Sequence, residues 1–233
     1  MTDAALPLFG GPDDAGEPSV DESFASAYRV SLDEHSWIEH VPGLLRGADA
    51  VFEELHALEE WEQRDRWMYT RRVDEPRLTA EFPDLAEAPA VLQTVARALS
   101  AHYGVTYDRL WLNLYRDHRD STGWHGDGAT ALKRSSIVPV LSLGAARRFL
   151  VRPTQGGMSS TWHPLAGDLI VMGGRCQTDW RHCVPKQSAP SGPRISVNFA
   201  ASSQARPDSP EPATRRATNR FHRDGSMEAG PTW

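Results

Sequence analysis

The stretch WLNLYRDHRDSTGWHGDGAT, residues 111–130, holds two His-x-Asp triplets, His118-Arg119-Asp120 and His125-Gly126-Asp127. An imidazole and a carboxylate two residues apart can ligate one metal ion when a turn aims both the same way. The chain has 9 His, and 31 of its 233 residues are Asp or Glu. About one such triplet is therefore expected by chance, so the pattern alone carries little weight. A third copy, His222-Arg223-Asp224, falls in a Ser/Pro/Arg-rich terminal stretch without apolar periodicity, where no ligand geometry can be fixed.

Context favours His125 and Asp127. They follow Gly123-Trp124 and precede Gly128, at a turn just past the apolar run WLNLYR. A third ligand is needed, and His182 in WRHCVPK is the candidate. Two imidazoles and one carboxylate leave three open coordination positions, which suits iron(II) and oxygen chemistry. The same set could hold zinc for hydrolysis. The plainer alternative makes His125 a turn residue and His182 a capped surface side chain.

The neighbouring polar residues add chemistry. Asn113 and Tyr115 lie two apart on an apparent strand, so they share one face. An amide and a phenol there are unusual for a plain core strand. Arg194 opens the run RISVNFA. Aimed inward it would need an anion, because an unpaired buried charge is costly. A dicarboxylate co-substrate would meet it through a bidentate pair. Otherwise it is a surface Arg at a strand start.

The elements that must position these residues are legible in part. GADAVFEELHALEEW, residues 47–61, repeats apolar side chains at helical spacing, and residues 88–102 do so after a Pro start. The second half reads as short strands: WLNLYR, SIVPVLSLG, RRFLVRP, GDLIVMGG and RISVNFA. Helices followed by strands predict an antiparallel β-sandwich or barrel backed by helices. Residues 1–22 hold six acids and no Lys or Arg, and read as a disordered tail; 23–200 form the body, and 201–233 a second tail. Outside the first tail, 25 basic and 25 acidic residues balance, so net charge neither supports nor excludes a nucleic-acid partner. Two Cys exclude a disulfide framework and a Cys-rich zinc site, and fit a reducing cytoplasm. No apolar run of about 18 residues predicts a membrane span, and the N-terminus lacks a basic signal-peptide start.

Taken together, NLYRDHRDSTGWHGD, LSLGAARRF, GDLIVMGG, W-x-H-x-V-P-K (180–186) and PRISVNF resemble the AlkB family of iron(II)- and 2-oxoglutarate-dependent dioxygenases. EPRLTAEF, residues 75–82, resembles the segment of that family's substrate-covering hairpin. The likeness spans roughly residues 60–200, with the motifs in order. It implies a double-stranded β-helix, or jelly roll: an α+β, mainly β fold with N-terminal helices packed on one sheet. It implies His125, Asp127 and His182 as iron ligands. Asn113, Tyr115 and Arg194 would bind 2-oxoglutarate, with Arg194 on the distal carboxylate. His118 falls at a position often Gly in relatives and reads as a loop residue. The chemistry implied is oxidative demethylation of an N-alkylated base in DNA or RNA. It uses O2 and releases succinate, CO2 and formaldehyde. Trp67, Tyr69, Arg71, Arg77 and Phe82 would contact the nucleic acid, or else Trp67 and Tyr69 form the buried face of a strand. No membrane and no obligate protein partner are implied.

The chain departs from this family at three places. The closing pattern R-x-N-x-T-x-R reads R-I-S-V-N-F-A, so Ala200 stands where a second Arg is usual; Arg116 and Arg181 are the candidates to replace it. Gly128 and Ala129 follow the metal Asp where repair members often have an acid that meets the base. The hairpin's aromatics are thinned to Glu81 and Phe82. These leave two alternatives open: an oxygenase for a non-nucleic-acid substrate, and an inactive binding module.

Overall fold

The computed structural model describes residues 17–68, 71–127 and 136–201; the side chains of residues 66–68 and 71 fall outside that description. Most of both tails lies outside it. Ser19–Val20, expected in the first tail, instead form a short strand, β1, paired with β4 (Leu45–Arg46).

Two antiparallel sheets face each other. The large one contains eight strands. In spatial order they are β2 (Tyr28–Ser31), β3 (Ser36–Val41), β12 (Leu169–Gly174), β9 (Ser136–Gly144), β14 (Arg194–Ala200), β7 (Arg109–Tyr115), β6 (Arg71–Phe82) and β5 (Glu62–Met68). The small sheet runs β11 (Ser160–Trp162), β10 (Phe149–Pro153), β13 (Trp180–Val184) and β8 (Thr122–His125). This is the expected jelly roll.

Two helices cover the outer face of the large sheet. α1 (Ala48–His56) is shorter than the periodicity of residues 47–61 predicts. The chain leaves the helix after Ala57, and Trp61 folds back so that its indole N–H donates to the carbonyl of Leu55 at 3.0 Å. Leu58 and Trp61 still pack on the core, from a loop. α2 (Ala90–Tyr103) begins after Pro89 and ends at Gly104, whose φ of 67° is the left-handed cap that glycine adopts without strain. Val51, Phe52 and Leu55 of α1 and Leu92, Val95 and Leu99 of α2 meet Leu112, Leu141, Leu143, Ile195 and Val197 of the sheet in one apolar cluster.

Strand parity explains how one sheet serves two purposes. Along β7, residues 110, 112 and 114 are apolar and join the helix-side cluster. Residues 111, 113 and 115 face the small sheet. Along β14, Ile195, Val197 and Phe199 pack toward the helices, while Arg194, Ser196 and Asn198 line the space between the sheets. A one-residue slip would exchange the two sets, so burial of both faces holds the register. Pro139 lies inside β9, yet the pairing with β14 runs only from Gly144 to Val140, so its missing N–H falls just beyond that ladder.

The first half holds more strand than expected. β2, β3 and the β5–β6 hairpin all join the large sheet. His125 also belongs to a strand rather than a bare turn. TGWH is only four residues with one Gly, too short to announce itself by alternation.

Candidate functional site

The His-Asp-His cluster forms because β8 and β13 are neighbours. His125 and His182 are directly opposed in that antiparallel pair, with ring centroids 4.2 Å apart. Cross-strand side chains on one face must meet at such a position. Asp127 arrives two residues later, with Oδ1 3.8 Å from His125 Nε2 and 3.5 Å from His182 Nε2. One ligand atom from each of the three residues lies within 4.8 Å of the other two.

The surroundings orient this donor set. His125 Nδ1 is 2.8 Å from the carbonyl oxygen of Gly123, so its N–H donates there and Nε2 keeps its lone pair. The backbone N–H of Asp127 donates to Gln177 Oε1 at 2.9 Å, from the short helix α3 (Cys176–Asp179). Gly126 permits this approach, because a Cβ there would stand 2.7 Å from the carbonyl oxygen of Gln177. Burial pushes the His125 imidazole down to about 4, and the charges of His182 and Arg77 add to that shift against Asp127 and Gly123. His125 is therefore neutral near pH 7, the form that ligates metals. Burial acts to raise Asp127, but the charge and hydrogen bond of His182, with help from His125 and Gln177, hold it below the usual carboxylate range. Its Oδ2 is buried without a hydrogen-bond partner. A buried carboxylate oxygen left unpaired costs free energy unless a cation or donor meets it. Two imidazole nitrogens and that oxygen fit iron(II), with open positions beside them.

A second buried group lacks a partner. Arg194 is 2% exposed, and only its Nη2 is paired, donating to Ser142 Oγ at 2.9 Å. Nε and Nη1 have no acceptor. Burial pushes the guanidinium below its ordinary value, partly offset by Tyr115. Arg194 and Tyr115 are register partners across β14 and β7, and the guanidinium lies 5.4 Å from the phenol ring. Arg147, 1% exposed, stands 5.7 Å from the same ring and donates to the carbonyls of Asp117, Asp120 and Pro185. This end of the cavity is thus positive and calls for an anion.

The cavity itself measures about 710 Å³, within the usual range for small-molecule sites. Large-sheet residues Trp111, Asn113, Tyr115, Arg194, Ser196 and Asn198 line one wall. His125, Asp127, His182, Phe149 and Val184 line the other. Asn113 is held from both sides: its Oδ1 accepts from Arg77 Nε at 2.9 Å and from Trp111 Nε1 at 3.2 Å, and its Nδ2 donates to Ser196 Oγ at 3.3 Å. The Tyr115 hydroxyl bonds Thr122 Oγ1 at 2.7 Å.

The structure thus brings together His125, Asp127, His182, Asn113, Tyr115, Arg194 and Arg77. Phe82 is a correction: it packs against the helix-side cluster, because even-numbered residues of β6 point away from the cavity. Tyr69 lies outside the described residues, as do Gly128 and Ala129 and the side chains of Arg66, Trp67 and Arg71. Arg116 and Arg181 do not line the cavity. Arg116 is bidentate on Asp120, and Arg181 Nη1 turns to the carbonyls of Thr178 and Trp180. His118 sits in the loop after β7, as expected. Asp168 is a turn anchor, accepting from the N–H groups of Gly43 and Leu165 and pairing with His40. Cys183 is a buried free thiol. Ser142, Thr122, Gln177 and Arg147 were not singled out in the sequence. Polar residues inside the apolar run SIVPVLSLG gave the one visible signal, for Ser142.

Comparison with known proteins agrees with this geometry. The 2OG-Fe(II) oxygenase superfamily profile matches residues 27–207. The bovine alpha-ketoglutarate-dependent dioxygenase alkB homolog 3 is 33% identical over 79% of this chain and 73% of its own length. The human DNA oxidative demethylase ALKBH2 is 28% identical over 65% of this chain and 67% of its own. The chain spans about three fifths to three quarters of the alkB homolog 3 proteins it matches. A Trichoplax adhaerens prolyl hydroxylase, solved with a hypoxia inducible factor oxygen degradation domain peptide fragment, has a TM-score of 0.53 at 9% identity. The likeness covers 70% of this chain and 82% of that one, and speaks for the fold. The chain belongs to the 2OG-Fe(II) oxygenase superfamily and, within it, to the AlkB-like dioxygenases, whose chemistry takes iron(II), 2-oxoglutarate and O2.

Proposed function

We propose that this chain oxidatively demethylates N-alkylated bases in DNA or RNA, as an alkylation-repair or RNA-demethylation enzyme. One observation carries the chemistry. A single cavity joins an unpaired carboxylate oxygen on Asp127, beside two imidazoles, to the unpaired Nε and Nη1 of the Arg194 guanidinium. The first asks for a cation and the second for an anion. Iron(II) and 2-oxoglutarate are that pair. The name of one relative, a DNA oxidative demethylase, supports a nucleic-acid substrate. Two free, buried cysteines are consistent with a reducing, cytoplasmic setting.

In this reading His125, Asp127 and His182 hold the iron. Gln177 and the Gly123 carbonyl fix two of those ligands. Arg194, backed by Ser142, binds the distal carboxylate of 2-oxoglutarate, and Tyr115 and Asn113 orient it. The bound cofactor set supplies the oxidising power, as one O2 oxidises 2-oxoglutarate to succinate and CO2 and hydroxylates the N-methyl carbon. The N-hydroxymethyl product then loses formaldehyde and leaves the amine. Phe149, Val138 and Val140 give the cavity apolar walls that exclude water while this happens. Trp67, Tyr69 and Arg71, from the β5–β6 hairpin, are proposed nucleic-acid contacts.

The test is release of succinate and formaldehyde from methylated single- and double-stranded oligonucleotides, with iron(II) and 2-oxoglutarate, by wild type and His125→Ala. Both products, absent in the variant, are expected. Succinate without formaldehyde would point to a different substrate. Neither product from folded protein would point to a binding module.

A further inference from the structure

Ala200 leaves the closing strand one cation short of the R-x-N-x-T-x-R pattern that the family resemblance implies. The cavity nevertheless holds two more guanidiniums besides Arg194. Arg109 stands directly across the β7–β14 ladder from Ala200, but its side chain is exposed at the rim. Arg77 reaches in from β6 and is 14% exposed. Its Nε donates to Asn113 Oδ1 at 2.9 Å, and its Nη2 is paired with Glu75 Oε2 at 2.8 Å. Arg77 is also close enough to His125 for its charge to act on that imidazole. It thus holds the amide expected to touch 2-oxoglutarate and lines the same cavity as His125.

We propose that Arg77, carried on the hairpin, supplies the cation that Ala200 does not, and binds the carboxylate of 2-oxoglutarate on the metal side. The proposal rests on the co-substrate reading above. A guanidinium has five N–H donors. The contacts with Asn113 and Glu75 use two directions and fix its plane, leaving Nη1 and part of Nη2 for an anion. Asn113 and Arg77 then form one hydrogen-bonded unit facing the co-substrate. Because Arg77 rides on the hairpin rather than on a central strand, co-substrate capture is tied to the placement of that hairpin.

The experiment is calorimetric titration of 2-oxoglutarate into the full chain loaded with Mn(II) in place of iron. Arg77→Ala is expected to weaken binding by about ten- to a hundredfold, the loss of one charge-assisted contact. Arg77→Lys should recover part of it, and Arg109→Ala should bind like wild type. The informative reciprocal is Ala200→Arg. Added to Arg77→Ala it should restore affinity; added to wild type it should change affinity by no more than about threefold, because the cation is already supplied. Wild-type affinity in Arg77→Ala overturns the proposal, as does a tenfold or greater gain from Ala200→Arg alone (about 1.4 kcal/mol). If Arg77→Ala does not fold, judged by thermal melting, Arg77→Lys and Ala200→Arg decide the matter. A raised KM for oligonucleotide with unchanged 2-oxoglutarate affinity assigns Arg77 to the substrate and also overturns it. Wild type that binds no 2-oxoglutarate sinks the co-substrate reading and this proposal together, whereas equal binding by wild type and Arg77→Ala sinks this proposal alone.

Discussion

The two faces of the β7–β14 ladder are built from opposite chemistry. Toward the helices stand Leu110, Leu112 and Leu114 opposite Phe199, Val197 and Ile195. Toward the small sheet stand Trp111, Asn113 and Tyr115 opposite Asn198, Ser196 and Arg194. The helix face is complete in itself, since every side chain finds apolar neighbours. The cavity face is incomplete: Arg194 Nε and Nη1 and, across the gap, Asp127 Oδ2 lack partners. Folding free energy comes from the first face. The second spends some of it to keep a positive and a negative site apart and unsatisfied until ligands arrive.

That contrast can be broken from either side. The largest effect belongs to Asp127→Ala, which removes the only anionic member of the cluster; iron binding by metal analysis and turnover should both fall below detection, with little change in melting temperature. Next is Leu112→Ala on the fully buried helix face. It should cost about 2–5 kcal/mol of stability in denaturant unfolding, while the surviving folded fraction keeps its 2-oxoglutarate affinity. A variant that lost affinity without stability there would erase the division between the faces. Arg194→Lys keeps the charge but loses the planar fork, so 2-oxoglutarate affinity should drop about ten- to a hundredfold by calorimetry. The melting temperature of the ligand-free protein should hold or rise, because the native guanidinium is not fully paired.

The smallest effect is a pH dependence. Burial depresses His125 to about 4 in the metal-free protein. The unfolded chain binds a proton at this residue near pH 6.5, while the folded one does not until far lower. Its contribution to stability is therefore full above the unfolded value and declines as pH falls from about 6.5 toward 4. Its imidazole NMR signal should stay in the neutral position from pH 8 down to 5. A midpoint near 6.5 would mean that the site is open to water.

Much of this was legible before folding was considered. Alternation put Asn113 and Tyr115 on one face and apolar residues on the other, because a strand has period two. The strand runs SIVPVLSLG, GDLIVMGG and RISVNFA fall within or upon β9, β12 and β14. The His125, Asp127 and His182 cluster was reached through its motifs. Strand β8 was not, because four residues including a glycine carry no periodic signal. Phe82 misled because its aromatic type suited base stacking, whereas its parity on β6 turned it into the core. Arg116 and Arg181 were near the motifs in sequence but are spent on Asp120 and on backbone carbonyls in space.

The sequence by itself determined which side chains could do the chemistry, and which runs of the second half form strands, since residue type and spacing carry both. Only the tertiary structure decided their partners. It set His182 opposite His125 through the register of two strands about sixty residues apart. It left Arg194 with one partner out of several donors, and brought Arg77 from a distant hairpin to Asn113. These are long-range pairings, and no local pattern encodes them, because they arise from closing two sheets on each other.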